Sequence, residues 1–228
     1  MLECLLNLDR NITLCLNGSS SLYADGLMLA VTSTVTWVPV GLVLLYVLLK
    51  NNDRPRFFMI LLMLVLCVLL SDQLSNLCKI FFERWRPARD PLIMYQVDVV
   101  NDVRGGRYGF FSAHAANTMS LVVFLSLLFR QWRMTLLLLS WTLLNGFSRI
   151  YLGVHYFGDV MVGFAVGAFV GYMLTLLYRR MSRRLNVVSR GISSEYTGGG
   201  YLVKDINLLA SVLVLTYAVV TVVATFLV

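Results

Sequence analysis

Two histidines occur in the chain, His114 and His155, and each lies in a polar cluster that interrupts an otherwise apolar sequence. In the segment from Ser148 through Arg149 and His155 to Asp159, His155 and Asp159 are four residues apart, the spacing of neighbours on a helix face. A carboxylate that accepts from one imidazole nitrogen fixes the tautomer and leaves the other nitrogen nucleophilic or basic. Arg149 stands across the turn at Gly153 and suits the clamping of a phosphate. The alternative for this segment is a structural ion pair beside a buried histidine. Ser112, ahead of Ala113 and His114, reads as a helix N-cap whose following amides form an anion site, with His114 in the first turn. An ordinary cap with an interfacial histidine would look the same. Lys79 and Arg86 are seven apart, almost two helical turns, and are expected on one helix face, with Pro87 stopping or turning the helix. Two cations there suit an anion with several oxygens, or they snorkel at a helix end.

The elements that must position these groups are membrane helices. The chain has 228 residues, of which 58% are hydrophobic and 14% charged, against about 45–50% and about 25% in soluble domains. The excess is gathered into long runs, and hydrocarbon tolerates backbone only where an internal ladder satisfies it. The expected fold is therefore all-α, a polytopic protein with six spans. These are Leu27–Leu49, Phe57–Leu77, Ala113–Phe129, Met134–Ile150, Val160–Tyr178 and Ile206–Val228. Residues 1–26 form an N-terminal interfacial segment, whose portion Leu2–Leu16 is a short mixed helix or ordered tail. Residues 27–178 form a five-span core that includes the loop 81–111. Residues 179–205 form a basic linker ahead of the sixth span, 206–228. With this count all three polar clusters fall at one membrane face. One side carries 11 of the bases and the other 8, so the positive-inside rule puts the clusters and both termini outside the cytoplasm.

The net charge of +7 belongs to bases beside apolar runs, with no basic stripe interleaved with aromatics, which argues against nucleic acid as a partner. The four cysteines lack paired CxxC spacing and no carboxylate cluster suggests a metal, so no cofactor is expected; Cys4 and Cys15 are candidates for a disulfide if exterior. Gly163, Gly167 and Gly171 recur every four residues and predict close helix contact. Arg84, Arg104 and Arg107 read as solvated loop charge, with contact to a second phosphate or headgroup as the alternative, and Asp72, one turn before Asn76, reads as support for Lys79 or as a boundary residue. Oligomeric state is not legible.

Lys79 to Pro87 matches K-x6-RP and Ser148 to Asp159 matches SR-x5-H-x3-D, while Phe111 to His114 is similar to PSGH with Phe111 for proline and Ala113 for glycine. From about Phe57 to Tyr178 the chain thus resembles the type 2 phosphatidic acid phosphatase superfamily in its six-span membrane branch. The resemblance implies a metal-independent lipid phosphatase. His155 would attack phosphorus to form a phosphohistidine, Asp159 would orient it, and His114 would protonate the leaving oxygen and later help activate water. Lys79, Arg86, Ser112, the Ala113 amide and Arg149 would bind the phosphate. The implied partners are the bilayer and a membrane lipid phosphate. Undecaprenyl diphosphate leads, with lipid A, phosphatidylglycerol phosphate or phosphatidic acid as alternatives, and the active site faces the periplasm of a bacterial inner membrane. A different class, a non-catalytic lipid-phosphate binding or transport protein, would use the same basic pocket without turnover.

Overall fold

The computed structural model describes residues 2–183 and 194–226, and eight α-helices lie among them. They are α1 (Leu2–Leu16), α2 (Leu22–Thr32), α3 (Val38–Asn51), α4 (Arg54–Phe82), α5 (Ala113–Phe129), α6 (Trp132–Tyr151), α7 (Phe157–Ser182) and α8 (Val203–Val223). The segments Thr34–Asn51, Arg54–Phe82, Phe157–Ser182 and Val203–Phe226 are long and apolar enough to cross a membrane, whereas Leu22–Thr32 and Ala113–Phe129 are apolar but shorter. The protein is an all-helical integral membrane protein. Its basic linker lies partly outside the described residues, since 184–193, with Arg184 and Arg190, are not among them.

The first expected span, Leu27–Leu49, is not one helix. It breaks at extended Ser33 and a 3₁₀ turn, Thr34–Trp37. Thr32 to Thr36 are hydroxylated or β-branched residues, which resist helix and offer local hydrogen bonds instead. Thr36 Oγ1 donates to Ala30 O at 2.6 Å and Trp37 Nε1 to Val31 O at 2.9 Å, satisfying carbonyls that the break releases. The N-terminal segment also divides, into α1 and the start of α2. Cys4 and Cys15 are both free thiols on α1. Eleven residues of helical rise separate them by about 16 Å, too far to bridge each other.

Helix α5 packs against α4, α6 and α7, and its closest approach is to α7. The glycines expected to permit this do so. A Cβ on Gly163 would stand 2.7 Å from Ser112 O, and one on Gly167 or Gly171 would collide with the carbonyl oxygens of Ala116 or Ser120. Backbone lies against backbone there, so no side chain can move aside. Gly167→Ala is expected to lower stability by about 1–3 kcal/mol, read as a lower melting temperature in detergent. An unchanged melting temperature would show that the helices separate without cost. This contact also fixes the cap of α5 against the start of α7, where the polar clusters meet.

Candidate active site

The two ends of the long loop approach each other across a short antiparallel bridge between Trp85 and Tyr108. Arg86 N–H donates to Arg107 O at 3.3 Å and Gly109 N–H to Arg84 O at 2.9 Å. This arrangement, not a helix face, positions Arg86. Helix α4 ends at Phe82, with Glu83 in the left-handed conformation at φ 46° as its C-cap. Lys79 therefore remains on the helix while Arg86 enters the site from the loop. The Arg86 side chain is buried, and its Nε donates to Tyr108 O at 3.1 Å. Its Nη1 donates to Val154 O at 3.0 Å and lies 3.2 Å from His155 Nε2.

That last contact assigns the histidine tautomer. A guanidinium only donates, so Nε2 of His155 is the acceptor and a neutral ring carries its proton on Nδ1. Nδ1 stands 3.6 Å from Asp159 Oδ2, beyond ordinary hydrogen-bond length, and has no closer partner. His155 precedes α7 and Asp159 lies in its first turn, so the two are not on one helix face as their spacing suggested. Asp159 Oδ2 accepts instead from Tyr156 N–H at 3.1 Å, capping the helix. Burial, with the charges of Arg86, Arg149 and Lys79, holds the His155 imidazole well below its usual range and hence neutral.

Asp159 is fully buried, and its other oxygen, Oδ1, accepts from Arg84 Nη1 at 2.7 Å. Arg84 Nη2 in turn donates to Asp9 Oδ2 at 2.6 Å, and the guanidinium stacks 4.1 Å from the Tyr156 ring centroid. Arg84 is thus an internal residue of the site, not the solvated charge its loop position implied. Helix α1 completes the support. Asp9 Oδ1 accepts from Gly158 N–H at 2.7 Å and Thr13 Oγ1 from Phe157 N–H at 3.0 Å, so α1 satisfies two of the orphan amides at the α7 N-terminus. No sequence pattern links residue 9 to residue 159. Arg104 does sit in solvent, paired at 2.7 Å with Asp102, and Arg107 stacks on Trp85 at 4.5 Å.

Ser112 is the N-cap of α5, its Oγ accepting from Ala115 N–H at 3.4 Å. Its own N–H donates to Asp159 O at 3.0 Å, which binds the second cluster to the third. The amides of Ala113 and His114 then open the helix, where backbone donors lack intrahelical partners. The His114 side chain is exposed. Lys79, Arg86 and Arg149 lie close enough to act on it electrostatically. Lys79 Nζ contacts Asn76 Oδ1 at 3.5 Å, and Asn76 is held by Asp72 at 3.1 Å, so Asp72 supports Lys79. Arg149 Nη1 donates to Thr32 Oγ1 at 2.5 Å while its Nε is buried without a partner. Gly109 closes one side of the site. A Cβ on it would stand 3.1 Å from Arg86 Cγ and 3.2 Å from Asp159 Oδ2.

All the residues expected from the sequence to act together, Lys79, Arg86, Ser112, Ala113, His114, Arg149, His155 and Asp159, gather at one end of the helices, with Arg84, Asp9 and Gly109 added by the fold. A neutral imidazole whose Nε2 lone pair is held by Arg86, ringed by cations and helix-start amides, is equipped to attack an electrophile with several negative oxygens once the guanidinium turns to those oxygens. Among the described residues no three His, Cys, Asp or Glu side chains are placed to hold a metal ion.

The family described as PAP2 superfamily matches residues 59–183. A lipid A 4'-phosphatase of Bacteroides thetaiotaomicron is 35% identical over 187 residues, covering 81% of this chain and 83% of that protein. A lipid A 4'-phosphatase of Porphyromonas gingivalis is 36% identical over 178 residues, covering 78% and 75%. The crystal structure of a transmembrane PAP2 type phosphatidylglycerolphosphate phosphatase from Bacillus subtilis superimposes with a TM-score of 0.57 at 21% identity, over 82% of this chain and 90% of that one. That likeness concerns the fold.

Proposed function

Since the chain belongs to the PAP2 superfamily and is a membrane lipid phosphatase, we propose that it removes a phosphate monoester from a lipid of the lipid A class through a phosphohistidine on His155. The observation that carries the mechanism is the Arg86 Nη1 contact to His155 Nε2 at 3.2 Å, which makes Nε2 the unprotonated nitrogen, its electron pair released for attack when the guanidinium engages the phosphate oxygens. In the first step the Nε2–P bond forms as the bond from phosphorus to the lipid oxygen breaks, and His114, protonated once the bound phosphate offsets the charges of Lys79, Arg86 and Arg149, gives its proton to that oxygen. The charge gained by the imidazole is stabilised by Asp159. In the second step water attacks phosphorus, His114 takes the water proton, and the Nε2–P bond breaks to release inorganic phosphate. Lys79, Arg86, Arg149, Ser112 and the Ala113 amide hold the non-bridging oxygens, where preorganised donors act most strongly on developing charge.

The names of the two relatives favour lipid A over undecaprenyl diphosphate, the substrate that the motif resemblance put first. An apolar cavity of about 570 Å³ between the helices, lined by residues such as Trp37, Leu44, Leu64, Leu121, Trp141 and Leu213, supports sideways entry of a lipid with acyl chains. The excess of bases at the other face supports a periplasmic site.

Phosphate release from lipid A, undecaprenyl diphosphate, phosphatidylglycerol phosphate and phosphatidic acid in detergent tests the reading. Lipid A is expected to lose one phosphate at the highest kcat/KM, and release is expected to persist in excess chelator, because the charge-stabilising groups are organic cations and amides. Preference for another of the four lipids would overturn the substrate. Loss on chelation restored by one divalent ion would overturn the metal-independent chemistry, and binding without turnover would move the protein to the binding or transport class.

A further inference from the structure

The helices that carry the catalytic groups at one end carry arginines at the other. Helix α4 runs from Arg56 to Lys79, α5 from His114 to its C-cap Arg130, and α7 from Asp159 to Arg179. The 17 residues of α5 separate the two ends by about 25 Å. At the arginine end lies a cavity of about 590 Å³, lined by Arg56, Arg130 and Arg179 with Tyr178, over an apolar floor of Phe124 and Leu128. No acidic residue lines it among the described residues. Asp53 stands 3.9 Å from Arg56 and is itself well exposed, a weak neutraliser. Arg56 Nε is buried without a hydrogen-bond partner, and neither Arg130 nor Arg179 has a carboxylate within 4.0 Å among the described residues.

The fold builds this cavity with some care. The turn at Gly198 and Gly199 lies directly on the end of α5, with Gly199 N–H donating to Phe129 O at 3.2 Å. A Cβ on Gly199 would collide with Leu128 O, and one on Gly198 would stand 3.2 Å from Arg130 Cβ. Tyr201 packs against Phe129 at 5.0 Å and accepts from Asn52 Nδ2 at 3.1 Å, which fastens the turn to the end of α3. Positively charged residues at a membrane boundary ordinarily spread into solvent. Here the half-buried Arg56 and the exposed Arg130 and Arg179 line one half-open space between helix ends and a glycine turn, within the roughly 300–1,000 Å³ typical of ligand sites.

We infer that this cavity is a second anion site, which takes a phosphate group at the membrane face opposite the active site. Guanidinium forks match phosphate oxygens in pairs, and three arginines whose one carboxylate neighbour among the described residues is the exposed Asp53 favour an anion of that class. The apolar floor and the position at helix ends suit the headgroup of an anionic phospholipid, and free inorganic phosphate shares the same recognition chemistry. The inference does not depend on the substrate assigned above.

The test compares the full-length parent with Arg130→Gln/Arg179→Gln, both carrying His155→Ala to prevent turnover. Melting temperature is followed in neutral detergent on adding inorganic phosphate, phosphatidylglycerol or phosphatidylcholine. The expected result is a rise of about 3 °C or more for the parent, at least halved in the double variant, with no rise from phosphatidylcholine. A variant-sensitive rise from phosphatidylglycerol alone identifies a lipid headgroup as the source, and one from inorganic phosphate identifies a soluble anion. Equal rises in parent and variant would place the binding at the catalytic end and overturn the proposal, as would no rise at all. If the double variant does not fold, each single variant is measured, and mass spectrometry of the intact parent reads retained phosphatidylglycerol directly. Absence of bound lipid, with no phosphate-induced rise, would then be the overturning result.

Discussion

Replacing His155 by alanine is expected to abolish phosphate release, by a factor on the order of 10⁴ or more, because the proposed covalent intermediate forms on its imidazole. The loss is chemical, not structural: Arg86 keeps its bonds to Tyr108 O and Val154 O at 3.1 and 3.0 Å when the imidazole is gone. Elution in size-exclusion chromatography and helix content are therefore expected to match the parent. A radiolabelled substrate should leave label on the parent protein that is stable to alkali and lost in acid, and none on the variant. His114→Ala separates the two steps. With an aryl phosphate, whose leaving oxygen needs no proton, labelling should still occur, and the label should persist because water is no longer activated. Release retained within tenfold in His155→Ala would exclude this residue as nucleophile.

Arg84→Ala lowers kcat by about 10²-fold or more, an effect of the size seen when a preorganised electrostatic contact in a site is removed. Arg84 is the cation between Asp9 and Asp159, at 2.6 and 2.7 Å, and its removal leaves two largely buried carboxylates with backbone donors but without the cation they share. The destabilisation is expected near about 3 kcal/mol. Arg84 is a positioning residue. It holds the carboxylate that faces Nδ1 of His155, so its loss should slow the phosphorylation step more than it raises KM. Arg84→Lys, which keeps the charge but reaches one carboxylate at a time, should recover part of kcat. Asp9→Asn should lie between the parent and Arg84→Ala, and the double variant should be no worse than Arg84→Ala, as members of one chain are non-additive. A change confined to KM, or full additivity with Asp9→Asn, would show that Arg84 contacts substrate instead.

Helices α5, α7 and α8 were legible because hydrocarbon length and helical hydrogen bonding leave few choices for a long apolar run. The cap at Ser112 was legible for a local reason, since serine bonds to amides within its own turn. The break at Ser33 was not, because the run from Leu27 to Leu49 is apolar enough to hide it. What decides that break is the satisfaction of freed carbonyls by Thr36 and Trp37, which depends on side-chain placement. The end of α4 at Glu83 was masked in the same way. The seven-residue spacing of Lys79 and Arg86 fits a helix, yet the pairing of Trp85 with Tyr108 draws the chain into an extended path.

By itself the amino-acid order determined the membrane class, the three polar clusters and which residues are proposed to carry the chemistry, since these depend on residue type and on spacing within one segment. The tertiary structure decided how the groups are wired. It set Asp159 against Arg84 and Asp9, gave His155 Nε2 to Arg86, and brought Gly109 over the pair. Each is a contact between segments far apart in the chain, and such contacts leave no periodicity to read. Residue 9 lies on a helix that a sequence shows only as short and mixed, and it enters the site because the Phe157 and Gly158 amides that open α7 need acceptors that only a neighbouring element can bring.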